Sequence, residues 1–393
     1  MKKKIIIGII ILTLFAIGSI HLYNYLRVKF AKIEVILKDD LTLEFNDKKK
    51  VSDYIENING KIIDDYIIDS KELGKKDVIV SFINEDKIKV KYTYQVDVVD
   101  RVEPLIWLGD TYSVKVGSNI DLTNKILCGD NYDSNVKCWT EGYYDLNTVG
   151  NYDLTYKAMD NSGNKEQKDF TLKVVEPTKN TKKNTNHNQF SDVVKEYKNE
   201  NNQIGIDVSA YQGDIDFEKI KQAGVEFIMI RVGYTKGQNG EYILDKKFIQ
   251  NIEGANKYGI KAGVYFYSYA GSIKEAKKDA EWVYKQIKDY KIDLPVVFDW
   301  EEWTNFNEYN LSFFDLNNIA EGFLKEIEKH GYKGMLYSSK NYLENIWFDM
   351  PYDVWIAQYY SEVTYNGTYK MWQICDNGLV DGIDTDVDIN ILY

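Results

Sequence analysis

Residues 295–303 read PVVFDWEEW, an apolar run that ends in three acids interleaved with two tryptophans. If Pro295 to Glu301 is a strand, its side chains alternate between two faces. Asp299 and Glu301 then share a face, with Cα atoms roughly 6.6 Å apart, and Trp300 points the other way. Two carboxylates on one face repel, so at least one keeps its proton to an unusually high pH. A general acid needs that property. Taken alone, the stretch reads more readily as a strand running out into a solvated acidic loop.

The rest of the composition narrows the chemistry. The 393 residues carry three His and three Cys. His21 lies in an apolar leader, His187 in a polar stretch and His330 after a run of helix formers. None is placed as a triad base or a zinc ligand, so carboxylates are left as the reactive groups. No metal and no cofactor is expected. Cys375 reads as a buried small hydrophobe. The formal net charge of -12 argues against nucleic acid as a partner.

The elements that must position these acids occupy the C-terminal half. From residue 201 strand-like and helix-like stretches alternate, the mark of a mostly parallel α/β domain. The strands are IGIDVS, FIMIRVGY, KAGVYFYSY, PVVFDWE, GMLYSS, VWIAQYY, YKMWQIC and DVDIN. Helical segments fill the first five gaps and the last two are too short for helices, which predicts a (β/α)5(β)3 barrel. Sites in such barrels lie at the C-terminal ends of the strands. Asp207 ends the first strand, Asp299 and Glu301 end the fourth, and Asp388 lies on the last. Tyr211, Tyr265, Tyr267, Trp355, Gln358, Tyr359 and Trp372 fall at strand ends or just after them. Aromatic faces beside carboxylates suit a sugar, which stacks its C–H faces on rings and bonds its hydroxyls to acids.

Five further segments precede the barrel at 201–393. Residues 1–4 read as a cytoplasmic tail and 5–26 as a transmembrane helix, lysines before the run placing the N-terminus inside. A cleaved signal peptide is the competing reading. Under the anchor reading the chain is a single-pass cell-membrane protein with its catalytic domain outside the cytoplasm. Residues 30–98 alternate as a β module, with Ile88, Val90, Tyr92, Tyr94, Val96 and Val98 on one face. Residues 99–176 form a second β module, and similar closing strands make the two a loose tandem repeat. Both read as small sandwiches acting as spacers. Cys128 and Cys138 either form a disulfide or sit as free thiols on adjacent strands. Residues 177–200 are polar and read as a flexible linker with a short helix at its end.

Two resemblances add to this. Residues 99–176 resemble bacterial immunoglobulin-like domains through LCGDNYDSNV, VGNYDLTYKAMDNSGN and LKVVE. The segment from Gly205 to Tyr393 resembles the glycoside hydrolase family 25 lysozymes, the Chalaropsis-type muramidases. The motifs that carry it are GIDVSAYQG, FIMIRVGY, GVYFYSYA, PVVFDWE, WIAQY, MWQI and VDIN, in the family's order. The resemblance implies cleavage of the β-1,4 bond between N-acetylmuramic acid and N-acetylglucosamine in peptidoglycan glycan strands. It maps the family's Asp-x-Glu pair onto Asp299 and Glu301, its first-strand Asp onto Asp207 and its late Val-Asp onto Asp388. Two departures stand out. RVGYTKG replaces the usual Ser/Thr-Glu-Gly run, and Phe266 stands where a His is common. The expected function is therefore a membrane-anchored wall hydrolase for local remodelling. The rivals are a non-hydrolytic wall-binding or adhesion protein, and an assembly factor partnered by secretion or conjugation machinery.

Overall fold

The alternation of apolar residues in the C-terminal half builds a closed barrel. The structure, a computed structural model, describes residues 2–177 and 186–393. The barrel strands are β1 (Gln203–Val208), β2 (Phe227–Thr235), β3 (Lys261–Tyr267), β4 (Val296–Asp299), β5 (Gly334–Ser339), β6 (Asp353–Ala357), β7 (Met371–Leu379) and β8 (Val387–Leu392). β1 to β7 pair in parallel in sequence order. β8 closes the ring by pairing antiparallel with both β7 and β1. Helices α1 (Phe217–Gln222), α2 (Phe248–Tyr258), α3 (Ile273–Ile287), α4 (Phe313–Lys329) and α5 (Lys340–Asn345) follow the first five strands. Their starts are written in the sequence: Asp216, Ser272 and Ser312 accept N-terminal amides of α1, α3 and α4.

Two apolar layers hold the barrel. Inside it, Phe227, Met229, Val297, Met335, Trp355 and Met371 pack as one cluster. Outside it, alternate strand residues such as Ile228, Ile230 and Phe298 meet the helices. Gly205 is required where β1 meets β2. A Cβ there would sit 2.3 Å from the Phe227 carbonyl oxygen.

The chain divides into two compact units, Met1–Arg101 and Val102–Tyr393. The first contains a four-stranded sheet of Thr42–Glu44, Lys89–Val99, Gly74–Asn84 and Gly60–Asp64 in that spatial order, with a two-stranded pair beside it. Val90, Tyr94, Val96 and Val98 are buried on one face, and Tyr92 is partly so. In the second unit, residues before the barrel repeat that topology with Thr111–Lys115, Lys165–Val175, Gly150–Met159 and Lys137–Glu141. In both, the first strand of the sheet runs parallel to the last. Each module has one four-stranded sheet and one two-stranded pair, short of the seven strands of an immunoglobulin sandwich. Cys128 and Cys138 are joined by a disulfide.

Two expectations need correction. The fold class and localisation built on a transmembrane helix do not stand. Among the described residues no helix is long and apolar enough to cross a membrane. Residues 14–29 of the helix Lys2–Lys29 carry His21, Asn24, Arg27 and Lys29, and a span needs about 20 predominantly apolar residues in succession. Of the polar stretch 177–200, residues 178–185 lie outside the described residues. Asn188–Gln189 pairs with β7, and the helix Phe190–Tyr197 buries Phe190 and Val193 against the barrel.

Candidate active site

The C-terminal ends of the strands surround a cavity of about 650 Å³. Its polar wall begins with the register of β1 against β8, which sets Asp207 directly opposite Asp388. Gln373 on β7 joins them: its Nε2 donates to Asp207 Oδ2 at 2.9 Å and to Asp388 Oδ2 at 3.2 Å. The Gln373 Oε1 accepts from the hydroxyls of Tyr337 and Tyr359, both at 2.9 Å. Asn390 Nδ2 donates to Asp207 Oδ2 at 2.8 Å while its Oδ1 accepts from Trp355 Nε1 at 2.8 Å. Every donor in this network is thus committed, and the acids are held at fixed positions.

Asp299 and Glu301 line the same cavity from the end of β4. Trp300 between them turns outward, fully buried, and donates to the Ala270 carbonyl. Asp299 is buried and its Oδ1 accepts no hydrogen bond. Glu301 is open to solvent at the cavity mouth on one side and walled on the other. Arg231 on β2 is the cation of the cavity wall, and Asp245 Oδ2 accepts from its guanidinium at 2.8 and 2.9 Å. The guanidinium also lies 5.2 Å from the Tyr211 ring centre and 5.6 Å from that of Tyr234.

Burial, and after it the crowding of carboxylates, raises the proton affinity of these acids. Asp299 is pushed well above the ordinary carboxylate range by burial first, then by Glu301 and Asp207, with Arg231 opposing. Glu301 is raised by loss of water, then by Asp207 and Glu302. Asp207 is raised by burial, against the hydrogen bonds from Asn390 and Gln373. Asp388 is pushed up to about 9, by burial and then by Asp207. These acids titrate as a coupled group, with protons shared across it. Asp299 is enclosed by the cavity wall, whereas Glu301 meets whatever enters the mouth.

The family model described as glycosyl hydrolases family 25 matches residues 206–383. Residues 206–383 form a family 25 glycosyl hydrolase domain. The autolytic lysozyme of Clostridium acetobutylicum is 26% identical over 191 residues, 47% of this chain and 54% of its own. The uncharacterized protein YegX of Escherichia coli strain K12 is 29% identical over 192 residues, 48% of this chain and 68% of its own. The solved autolysin LytC of Streptococcus pneumoniae, in complex with a synthetic peptidoglycan ligand, is 22% identical with a TM-score of 0.45, covering 61% of this chain and 56% of that one. This chain thus spans about half the length of the autolytic lysozyme and of LytC.

The sequence-derived residues separate into two groups. Asp207, Asp299, Glu301, Asp388, Tyr211, Tyr265, Tyr267 and Trp355 line the cavity. Gln358, Tyr359 and Trp372 do not. Gln358 is buried and stitches the following loop, donating to Thr364 Oγ1 and accepting from the Thr364 amide. Trp372 faces out of the barrel, donates to the Gln358 carbonyl and packs edge-on against Tyr197. Tyr359 reaches the site only through its bond to Gln373. Phe266 also faces outward, against Trp282 and Phe323, so the departure from histidine lies in the helix layer and not in the cavity wall.

Arg231, Gln373, Tyr337 and Asn390 were missed. A period of two could have placed all four on the inner face, Tyr337 two residues after Met335 and Asn390 two after Asp388. Phe227 and Met229 point into the barrel, so Arg231 continues their face; Met371 does likewise for Gln373. Away from the cavity, Glu281, Glu326 and His330 converge between α3 and α4. His330 Nε2 lies 3.0 Å from Glu281 Oε1 and its ring stacks on Tyr284 at 3.8 Å, while Glu326 pairs with Lys329.

Proposed function

We propose that the chain is a muramidase, cleaving the β-1,4 bond between N-acetylmuramic acid and N-acetylglucosamine in peptidoglycan. The observation that carries this reading is the meeting of Asp299 and Glu301 at one cavity mouth, opposite the Asp207–Asp388 pair. The resemblance to an autolytic lysozyme supports the choice of substrate. Glu301 donates its proton to the glycosidic oxygen, which leaves as a hydroxyl. Its raised proton affinity keeps the acid form available at higher pH than a free glutamate would. Positive charge develops at the anomeric carbon as that bond breaks. Asp299, as its carboxylate, stabilises it directly or by orienting the sugar's 2-acetamido group as an internal nucleophile; water then adds to the anomeric carbon and gives up a proton to Glu301. Asp207 and Asp388, fixed by Gln373 and Asn390, orient the sugar ring and add to the negative potential. Tyrosine faces at 211, 265 and 267 supply the stacking surface. The physiological role under this reading is wall remodelling.

Replacing the acid tests the assignment. Glu301→Gln keeps size and hydrogen-bonding capacity but cannot donate the proton as an acid. Muropeptide release from purified wall is expected to fall by roughly 10²–10⁴-fold, the usual worth of general acid catalysis. Release at the wild-type rate would remove Glu301 from the mechanism.

A further inference from the structure

The loop that follows Glu301 is fastened to the β module at residues 102–176. Lys125 Nζ donates to Asn305 Oδ1 at 2.6 Å and to Glu308 Oε1 at 3.0 Å. Asn307 Oδ1 accepts from the Cys128 amide at 3.0 Å, and its Nδ2 donates to the Thr123 and Ile126 carbonyls at 3.1 and 2.8 Å. The amides of Phe313 and Phe314 donate to the carbonyls of Asp130 and Asn131. Gly129 presses so close to the Phe306 and Phe313 rings that a Cβ would sit 2.7–2.8 Å from them. Trp107 of the module lies 5.0 Å from the Tyr342 ring, which stacks at 4.0 Å on Trp303 of the loop.

These contacts continue into the cavity. Asn305, held by Lys125 through its Oδ1, donates its Nδ2 to Glu302 Oε2 at 2.9 Å. The other oxygen of Glu302 accepts from the Tyr267 hydroxyl at 3.2 Å, and Tyr267 lines the cavity beside Glu301. A relay of three hydrogen bonds therefore runs from Lys125 to the cavity wall. Glu302 is also one of the charges that raises the proton affinity of Glu301.

We infer that the module at 102–176 is a working part of the catalytic unit, and that Lys125 and Asn307 are positioning residues that hold the 302–313 loop, and through it Glu302, against the active cavity. This rests on the reading of Glu301 as the acid. A free spacer would leave the loop to choose among several conformations, and a small displacement of a catalytic group carries a large rate penalty. Asn307 exchanges polar bonds with three backbone groups across the joint, so its loss leaves buried partners unsatisfied.

The test uses the full chain with Lys125→Met, Lys125→Arg and Asn307→Ala, alongside Glu301→Gln. Lys125 is partly exposed, so its replacement leaves the module core untouched. Expected for Lys125→Met and Asn307→Ala are a fall in kcat of about tenfold with KM within twofold, a displaced alkaline limb of the pH–rate profile, and faster amide hydrogen exchange in residues 302–313. Lys125→Arg should recover most of the rate. A purely structural joint would lower the unfolding temperature and leave kcat and the pH profile in place. That result overturns the inference, as does unchanged exchange in the loop. Should Asn307→Ala fail to fold, Lys125→Met decides. Should the wild-type chain release no glycan fragments, the muramidase reading fails, and the exchange measurement still decides whether the module holds the loop.

Discussion

At the scale of residues, the site depends on keeping unfavourable charges together. Asp388 has its proton affinity raised to about 9 in the folded chain against 3.8 for an ordinary Asp. A group raised on folding favours the folded state below its unfolded value and disfavours it as pH climbs towards the folded value. Stability is therefore given up between about pH 4 and pH 9 on account of this residue. Asp388→Asn should remove that cost while keeping a similar shape beside Asp207 and Gln373. The variant is expected to unfold at a higher temperature than wild type at pH 8, the difference shrinking towards zero at pH 4, with activity strongly reduced. Thermal unfolding across that range checks it; a difference that does not vary with pH would contradict the account. The acids were legible because their type and strand-end position announce chemistry. Gln373 and Asn390 were not, because neutral amides carry no such announcement and become meaningful only once the barrel closes β8 between β7 and β1. Trp372 shows the opposite error: an aromatic at a strand end drew attention, yet period-two geometry sends it outward.

At the scale of elements, the first strands were readable because they are apolar runs separated by helices, three of which start at a side-chain cap. Helices and strands alternate with the periods that the sequence carries, and the site acids fall where those runs stop. What the sequence could not display is the closeness of approach between neighbouring strands. Gly205 is the clearest case, since its missing side chain lets β1 lie against the Phe227 backbone two residues before Asp207. The obstructing atom is a carbonyl oxygen, which cannot swing aside. Gly205→Ala should destabilise the barrel by about 1–3 kcal/mol, the usual range for forcing atoms into a filled interior. Denaturant unfolding of the variant would register this, with reduced turnover as Asp207 shifts. Unchanged stability would mean that β1 and β2 can part without cost.

At the scale of the whole molecule, the sequence pattern suggested a series of modules, but not the relations between them. The tandem β modules share a topology because both close with a long antiparallel hairpin, whose last strand takes the module's first strand in parallel. The second module's attachment to the loop after Glu301 depends on Asn307, Lys125 and Gly129, none of which stands out in the sequence. The apolar N-terminal run suggested a membrane span, and the described helix does not support one. The central claim is that the acidic cavity hydrolyses one particular glycosidic bond. The direct measurement is to digest purified peptidoglycan with the full chain and with Glu301→Gln, reduce the products with borohydride, and identify the sugar at each new end. The account predicts N-acetylmuramitol ends from the wild-type chain and almost none from the variant. N-acetylglucosaminitol ends, or equal yields from both proteins, would contradict it.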